Sequence, residues 1–250
     1  MTTVLLPPSE TKRAGGSGEP LALDGLALPV LAPQREAVAA SLVALAADPD
    51  ACARVLKLSP RQLGAIDDNA ALRTSPTMPA ADRYTGVLFD ALDAGTFDNA
   101  ARSWLGAHVL IHTAPFGPVG ALDAVPAYRL AAGTSLPGLP PLRRLWAEPT
   151  TAALSAVAGL VIDLRSEAYA ALGPVPETVA STYVRVVTEG PDGATRALNH
   201  FNKKAKGELT RLLCLRRPEL ASVADFIAWG SEAGVALRPG ERSGETELVV

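Results

Sequence analysis

The chain has 250 residues and a mass of 25.9 kDa, with 48% apolar and 20% charged residues. That composition excludes a disordered or fibrous chain, and a domain of this length buries about 70–75% of its unfolded surface, so it needs neither a metal nor a disulfide to hold together. A net charge of −3, two cysteines and no apolar run near the ~20 residues that span a bilayer argue against a dedicated nucleic-acid binder, a disulfide framework and a membrane span.

Residues 1–8 lack the basic start and long apolar stretch of a secretory signal, so a cytoplasmic protein is expected. Residues 2–6 are β-branched and apolar, are stopped by Pro7-Pro8, and predict a strand. Residues 13–33 are rich in Gly, Pro and Ala and predict a mobile loop. Residues 34–73 carry helical patterning, punctuated at Asp48-Pro49-Asp50 and Ser59-Pro60, and residues 74–79 form a linker within the domain. Helices are predicted over 84–92 and 96–105, the second capped by Thr96. A strand is predicted over 108–112 and a turn over 116–120.

Residues 142–158 read as a helix. The continuous apolar run 159–164 reads as an interior strand, and Ser166 opens a short helix to residue 172. Residues 178–188 alternate as a strand does, Asp192-Gly193 marks a hairpin, and 194–199 is the return strand. A helix follows over 201–216 with an apolar stripe at Ala205, Leu209, Leu212 and Leu213. Another helix spans about 219–229, and strands near 235–237 and 247–250 close the chain. The whole predicts one mixed α/β (α+β) domain over 1–250, a central mixed sheet flanked by helices. Cys52 and Cys214 read as small buried side chains.

The chain has five lysines, and three of them are Lys203, Lys204 and Lys206. Residues 203–217 carry a local charge of +5, which leaves −8 for the rest. Lysines at a helix start oppose its dipole at about 0.3–1 kcal/mol each, so a phosphate or carboxylate there would account for them. A second candidate site is Asp163-Leu164-Arg165-Ser166-Glu167-Ala168-Tyr169, where a buried strand ends and a helix begins, the position at which open α/β sheets hold ligands. Tyr128-Arg129 suits an anion that carries a flat group, and Ser9-Glu10-Thr11-Lys12 follows the first strand. His108 and His112 have the i,i+4 spacing of metal ligands, but in a β-like run with no third ligand, so neither a metal nor a cofactor is expected. No phosphate-loop, dinucleotide or nucleophile-elbow motif occurs.

Five segments in register resemble the YaaA peroxide-stress family: Leu5-Leu6-Pro7-Pro8-Ser9-Glu10-Thr11-Lys12, Arg83-Tyr84-Thr85-Gly86-Val87-Leu88, Pro126-Ala127-Tyr128-Arg129-Leu130 with one residue inserted, Asp163 to Tyr169 as written above, and His200-Phe201-Asn202-Lys203-Lys204-Ala205-Lys206-Gly207. The resemblance implies the family's own α/β fold with a basic cleft, and a part in peroxide-stress defence that limits DNA damage and free iron. It also implies nucleic-acid binding through that cleft and a helix-hairpin-helix-like element. This chain has Gly120 where the family commonly carries Arg, Ala131 where an acidic residue is common, and one glycine of the usual pair in Leu63-Gly64-Ala65-Ile66.

Two functional readings follow. In the first, an anion-binding cleft accepts DNA: Lys203, Lys204 and Lys206 contact phosphates beside Arg129 and Arg165, while Tyr128 and Tyr169 stack on bases. In the second, an enzyme acts on a nucleotide or other phosphorylated small molecule, with Ser9, Lys12, Asp163 and Ser166 around the reacting group. Iron coordination has little support from three dispersed histidines and two cysteines. Either reading expects Lys12, Arg129, Asp163 and Lys203 to converge.

Overall fold

A computed structural model describes residues 1–189, 195–197 and 200–250. The strands, in chain order, are β1 (Thr2–Leu6), β2 (Met78–Pro79), β3 (Val109–Thr113), β4 (Gly117–Gly120), β5 (Ala124–Val125), β6 (Leu160–Asp163), β7 (Ser181–Glu189), β8 (Thr195–Ala197), β9 (Leu237–Pro239) and β10 (Glu245–Val249). The helices are α1 (Ala32–Ala46), α2 (Pro49–Val55), α3 (Ala65–Ala70), α4 (Ala80–Arg83), α5 (Val87–Leu92), α6 (Asn99–His108), α7 (Leu142–Leu154), α8 (Glu167–Ala170), α9 (His200–Arg216) and α10 (Val223–Ala233).

The main sheet runs β4-β3-β1-β6-β7-β10-β9, with β8 beside β7. Its centre, β3-β1-β6-β7-β10, is parallel, and the flanking pairs β3–β4, β9–β10 and β7–β8 are antiparallel. A parallel centre has both faces covered, which explains why β1 and β6 are buried throughout. Alternation then divides their side chains between the two faces. Val4, Leu6, Leu160 and Ile162 join the large core, whereas Leu5 and Val161 pack with Leu154 of α7 and Val179 on the other side.

The expected compact mixed sheet flanked by helices is therefore what the chain forms. The run 159–164 is the interior strand β6, between β1 and β7, and α8 follows it with Ser166 at its N-cap. The 13–33 stretch holds a β-bridge from Gly18 to Thr77 and two 3-10 turns, Leu23–Gly25 and Pro29–Leu31, and its last two residues open α1. Buried Arg83 holds its start by donating to the carbonyls of Arg13 and Gly15.

Several boundaries differ from the sequence reading. The helix expected over 84–92 begins at Val87, because Gly86 has φ +94° and breaks the chain between α4 and α5. The cap of α6 is Asp98, whose carboxylate accepts from Ala101 N–H; the Thr96 hydroxyl binds Asp93 instead. Residues 117–120 are strand β4, not turn, since an edge strand tolerates Pro118. Helix α7 stops at Leu154, and α10 starts after the Ser222 capping box, later than expected. The linker 74–79 ends in β2, which pairs with β5. The hairpin residues 191–193 lie outside the described residues.

Helix α9 lies against α5 at very short range. A β-carbon at Gly207 would come within 2.2 Å of the Leu88 carbonyl, so only glycine allows this approach. Ala205, Leu209 and Leu213 are buried on the inner face of α9, while Leu212 is half-buried.

Candidate functional site

The parallel register sets Leu5 beside Asp163 and Leu6 beside Ile111, so the segments after β1, β3 and β6 leave the sheet at one edge. This is the carboxyl edge, where side chains from separate loops meet over the sheet.

The chain after β1 curls so that the Lys12 amine turns inward. Its Nζ lies 4.0 Å from the centre of the Tyr128 ring and 5.3 Å from that of Tyr84, and it donates to the carbonyls of Ser9 (3.1 Å) and Glu10 (3.4 Å). Among the described residues no carboxylate comes within ion-pair distance of it. Enclosure, reinforced by the Arg129 guanidinium, lowers the Lys12 pKa to about 7 against the opposing pull of Glu10 and Asp68. Burial in turn raises the carboxyl of Asp68 above the ordinary range.

The two tyrosine hydroxyls share a 2.6 Å hydrogen bond, and burial drives both phenols well above their usual range. Arg129, after the extended 126–128 stretch, has its backbone fixed on both sides by the Asn69 amide and reaches Glu10 at 2.9 Å. The Ser9 and Thr11 hydroxyls lie 3.2 Å apart beneath Gly86.

A second group is built on β6. Asp163 receives Arg165 Nε and Nη2 at 2.9 and 2.6 Å, and Arg165 is wholly buried. The third guanidinium nitrogen contacts His112 Nδ1 at 2.8 Å and the Gly173 carbonyl at 2.9 Å. The Arg165 carbonyl accepts from Tyr183 and from Lys206 Nζ, at 2.9 and 3.4 Å. Lys206 is buried although it belongs to the lysine cluster, and desolvation brings its pKa down to about 8 despite the nearby Asp163.

Tyr169 of α8 connects the two groups. Its ring centre is 6.2 Å from that of His112, and Glu10 and Arg129 are near enough to act on its phenol, which burial pushes far up. Ser166 is exposed, and its side chain makes no cap bond. Lys203 and Lys204 are exposed near the start of α9, and Lys204 pairs with Glu208 at 2.6 Å. Of the four residues expected to converge, Lys12 and Arg129 share one group and Asp163 stands in the other, while the contacts of Lys203 with either are absent among the described residues.

Tyr84, Asp68, Tyr183 and His112 were not singled out as site residues by sequence. Tyr84 stands in one of the five family-like segments, and His112 ends an apolar run at a strand's carboxyl end; those were the available signals. His108 closes α6, stacks on Trp104 and contacts the Thr2 carbonyl, so the two histidines face different partners. Among the described residues no three His, Cys, Asp or Glu side chains are grouped to hold a metal ion, and no helix is long and apolar enough to cross a membrane.

The family model described as peroxide stress protein YaaA matches residues 2–234. The chain belongs to the YaaA family. A UPF0246 protein of Corynebacterium glutamicum is 41% identical over 251 residues, 99% of each chain. Another, of Streptomyces coelicolor, is 42% identical over 214 residues, covering 84% of this chain and 82% of its own. A UPF0246 protein of Limosilactobacillus fermentum is 30% identical over 156 residues, 61% of this chain and 63% of its own. Where the YaaA resemblance leads one to expect Arg, Gly120 ends β4 and donates its N–H to Asp123 at 2.7 Å. The helix-hairpin-helix-like residues 63–66 lead into α3, a helix of six residues.

Proposed function

We propose that this YaaA-family chain serves peroxide-stress defence by binding and acting on a small anionic ligand, a nucleotide or another phosphorylated molecule, at the carboxyl edge of β1, β3 and β6. The observation that carries this reading is the enclosed Lys12 amine, held against the Tyr128 ring without an ion-pair partner among the described residues. An amine whose proton is loosely held near pH 7 works as an acid or base, and it gains its full charge when an anion arrives. Arg129 exchanges exposed Glu10 for a phosphate, to which a guanidinium binds through two parallel N–H groups. Ser9 stands on the Lys12 loop beside the proposed ligand, and Asp163 and Ser166 belong to the neighbouring group at the end of β6.

The small-ligand reading is favoured over DNA because Tyr128 is buried and Lys12 occupies its ring face, so this ring is not free to stack on a base. DNA binding draws support from the exposed Lys203 and Lys204 and from the family resemblance.

Titration of the wild type and Lys12→Met with inorganic phosphate and nucleoside monophosphates tests the proposal. Saturable wild-type binding that weakens at least tenfold in the variant is expected. Binding only to duplex or single-stranded DNA, with a steep salt slope and no response to Lys12→Met, overturns it.

A further inference from the structure

His112 is wholly buried at the carboxyl end of β3, and its protonation state is decided by its neighbour. Arg165 Nη1 lies 2.8 Å from His112 Nδ1. A guanidinium only donates, so Nδ1 is the acceptor and the ring proton sits on Nε2. Arg165 cannot swing away, because Asp163 holds it through two nitrogens and Gly173 through the third. Burial and the adjacent guanidinium both hold the imidazole pKa well below its ordinary value, so the ring is neutral at physiological pH. Nε2–H is therefore a fixed donor. It is also a buried atom with no hydrogen-bond partner among the described residues. A buried donor without an acceptor carries its full desolvation penalty, and proteins retain few such groups.

The surroundings indicate what the acceptor is. The ring stands edge-on to Tyr169, and Tyr169 is bordered by Glu10 and Arg129, the ion pair beside Lys12. His112 thus lies one ring away from the Glu10–Arg129 pair of the site proposed for the small anionic ligand.

We infer that His112 Nε2–H is the innermost donor of that site and hydrogen-bonds a phosphoryl or carboxyl oxygen of the bound ligand, as a neutral polarising group and not as a base. Arg165 and Asp163 are positioning residues in this arrangement: they fix the tautomer and transfer no proton. The inference rests on the small-ligand reading and adds a residue and a tautomer to it.

Two substitutions separate the two ring nitrogens. His112→Asn keeps an acceptor oxygen where Nδ1 meets Arg165 but lacks the reach of Nε2–H. His112→Gln keeps the reach of the donor and loses the acceptor. With inorganic phosphate and a nucleoside monophosphate as probes, His112→Asn is expected to retain the wild-type melting temperature and bind at least tenfold more weakly. His112→Gln is expected to melt at lower temperature and bind within about threefold of wild type. In ¹⁵N-labelled wild type, the ring shows the Nε2–H tautomer, and its Nε2 resonance shifts on titration with the same midpoint as binding.

Wild-type affinity in His112→Asn, with affinity lost in Lys12→Met, overturns the His112 assignment alone. An Nδ1–H tautomer, or an Nε2 resonance that responds only to a trapped water and not to either probe, does the same even if both variants fail to fold. No binding of either probe by the wild type overturns this inference together with the reading beneath it.

Discussion

Arg165 turns back on the end of β6 and grips Asp163, two residues earlier, through its backbone N–H, Nε and Nη2, at 3.0, 2.9 and 2.6 Å. The pair is buried, at 0% and 7% side-chain exposure, so water contributes almost nothing to holding either charge. A chain that turns sharply at the end of an interior strand is thereby locked. The guanidinium is left pointing at His112 on β3, and the carbonyl of Arg165 at Tyr183 and Lys206.

Removing one partner of such a pair leaves the other charged and dry. Asp163→Ala is expected to destabilise the fold by about 3–5 kcal/mol, measured by urea unfolding at pH 7. Asp163→Asn keeps one acceptor oxygen for the Arg165 N–H groups while losing the charge, and should cost less than alanine. A loss below about 1 kcal/mol in the alanine variant would mean that water reaches Arg165.

Much of this architecture was legible in the sequence. The run ending at Asp163 is apolar on both faces, as an interior strand requires, and the β-branched and apolar residues 2–6 before Pro7-Pro8 mark β1 as a strand. Strand β4 was not legible, because Gly117-Pro118-Val119-Gly120 has a single large apolar side chain and forms a strand only through its edge pairing with β3. The cap of α6 was misassigned because Thr96 and Asp98 are both good capping residues, and which one serves depends on where the preceding 3-10 turn ends. The five family-like segments contain Lys12, Tyr84, Tyr128, Arg129, Asp163 and Arg165 of the candidate site, but not Asp68, His112 or Tyr183. The site's chemistry lies in contacts between segments, such as Arg165 with His112, 53 residues apart. The lysine run was read as one feature although the helix face turns Lys206 inward and leaves Lys203 and Lys204 outside.

Lys12 makes stability depend on pH. The folded chain gives up this proton at about pH 7, whereas the unfolded chain keeps it to about 10.5. Between those values the unfolded state binds more protons, so this group adds stability as pH rises, and below pH 7 its burial penalty is fully present. Lys12→Met removes the penalty and also the amine's attraction to the tyrosine rings, worth about 0.5–2 kcal/mol. The variant is expected to gain about 1–3 kcal/mol at pH 6 and to show a flatter rise from pH 7 to 10. Parallel pH–stability curves for the two proteins would show that the amine is hydrated.

Gly86 holds the floor of the Lys12 loop. Its φ of +94° is strained for any other residue, and a β-carbon there would meet the Thr11 and Ser9 hydroxyls at 3.2 and 3.4 Å. Gly86→Ala is expected to cost about 1–2 kcal/mol in thermal unfolding and to weaken phosphate binding at least threefold by lifting Ser9 and Lys12. An unchanged affinity at reduced stability would separate this loop from the ligand.

The lysines of α9 decide between the small ligand and nucleic acid. Lys203 and Lys204 are the fourth and fifth residues of α9, where the dipole opposes them only weakly, and Lys204 gains about 0.3–0.5 kcal/mol from its exposed pair with Glu208. Replacing either with Met should therefore change stability by less than about 0.5 kcal/mol. Lys206 is different. Its amine is buried against the Arg165 carbonyl and the Tyr183 ring, and Met fills nearly the same volume without a charge to desolvate. Lys206→Met should leave the melting temperature equal or higher. For a small anionic ligand, Lys206→Met alone loses affinity, by about 1.5–3 kcal/mol for a charge-assisted hydrogen bond, and the two exposed variants bind as wild type. For DNA the order reverses: Lys203→Met and Lys204→Met each reduce the slope of log K against log salt by about 0.7–0.9, and Lys206→Met has no effect. Three variants measured with phosphate and with a DNA duplex at several salt concentrations distinguish the two patterns, and loss of DNA affinity confined to the exposed pair would sink the small-ligand reading.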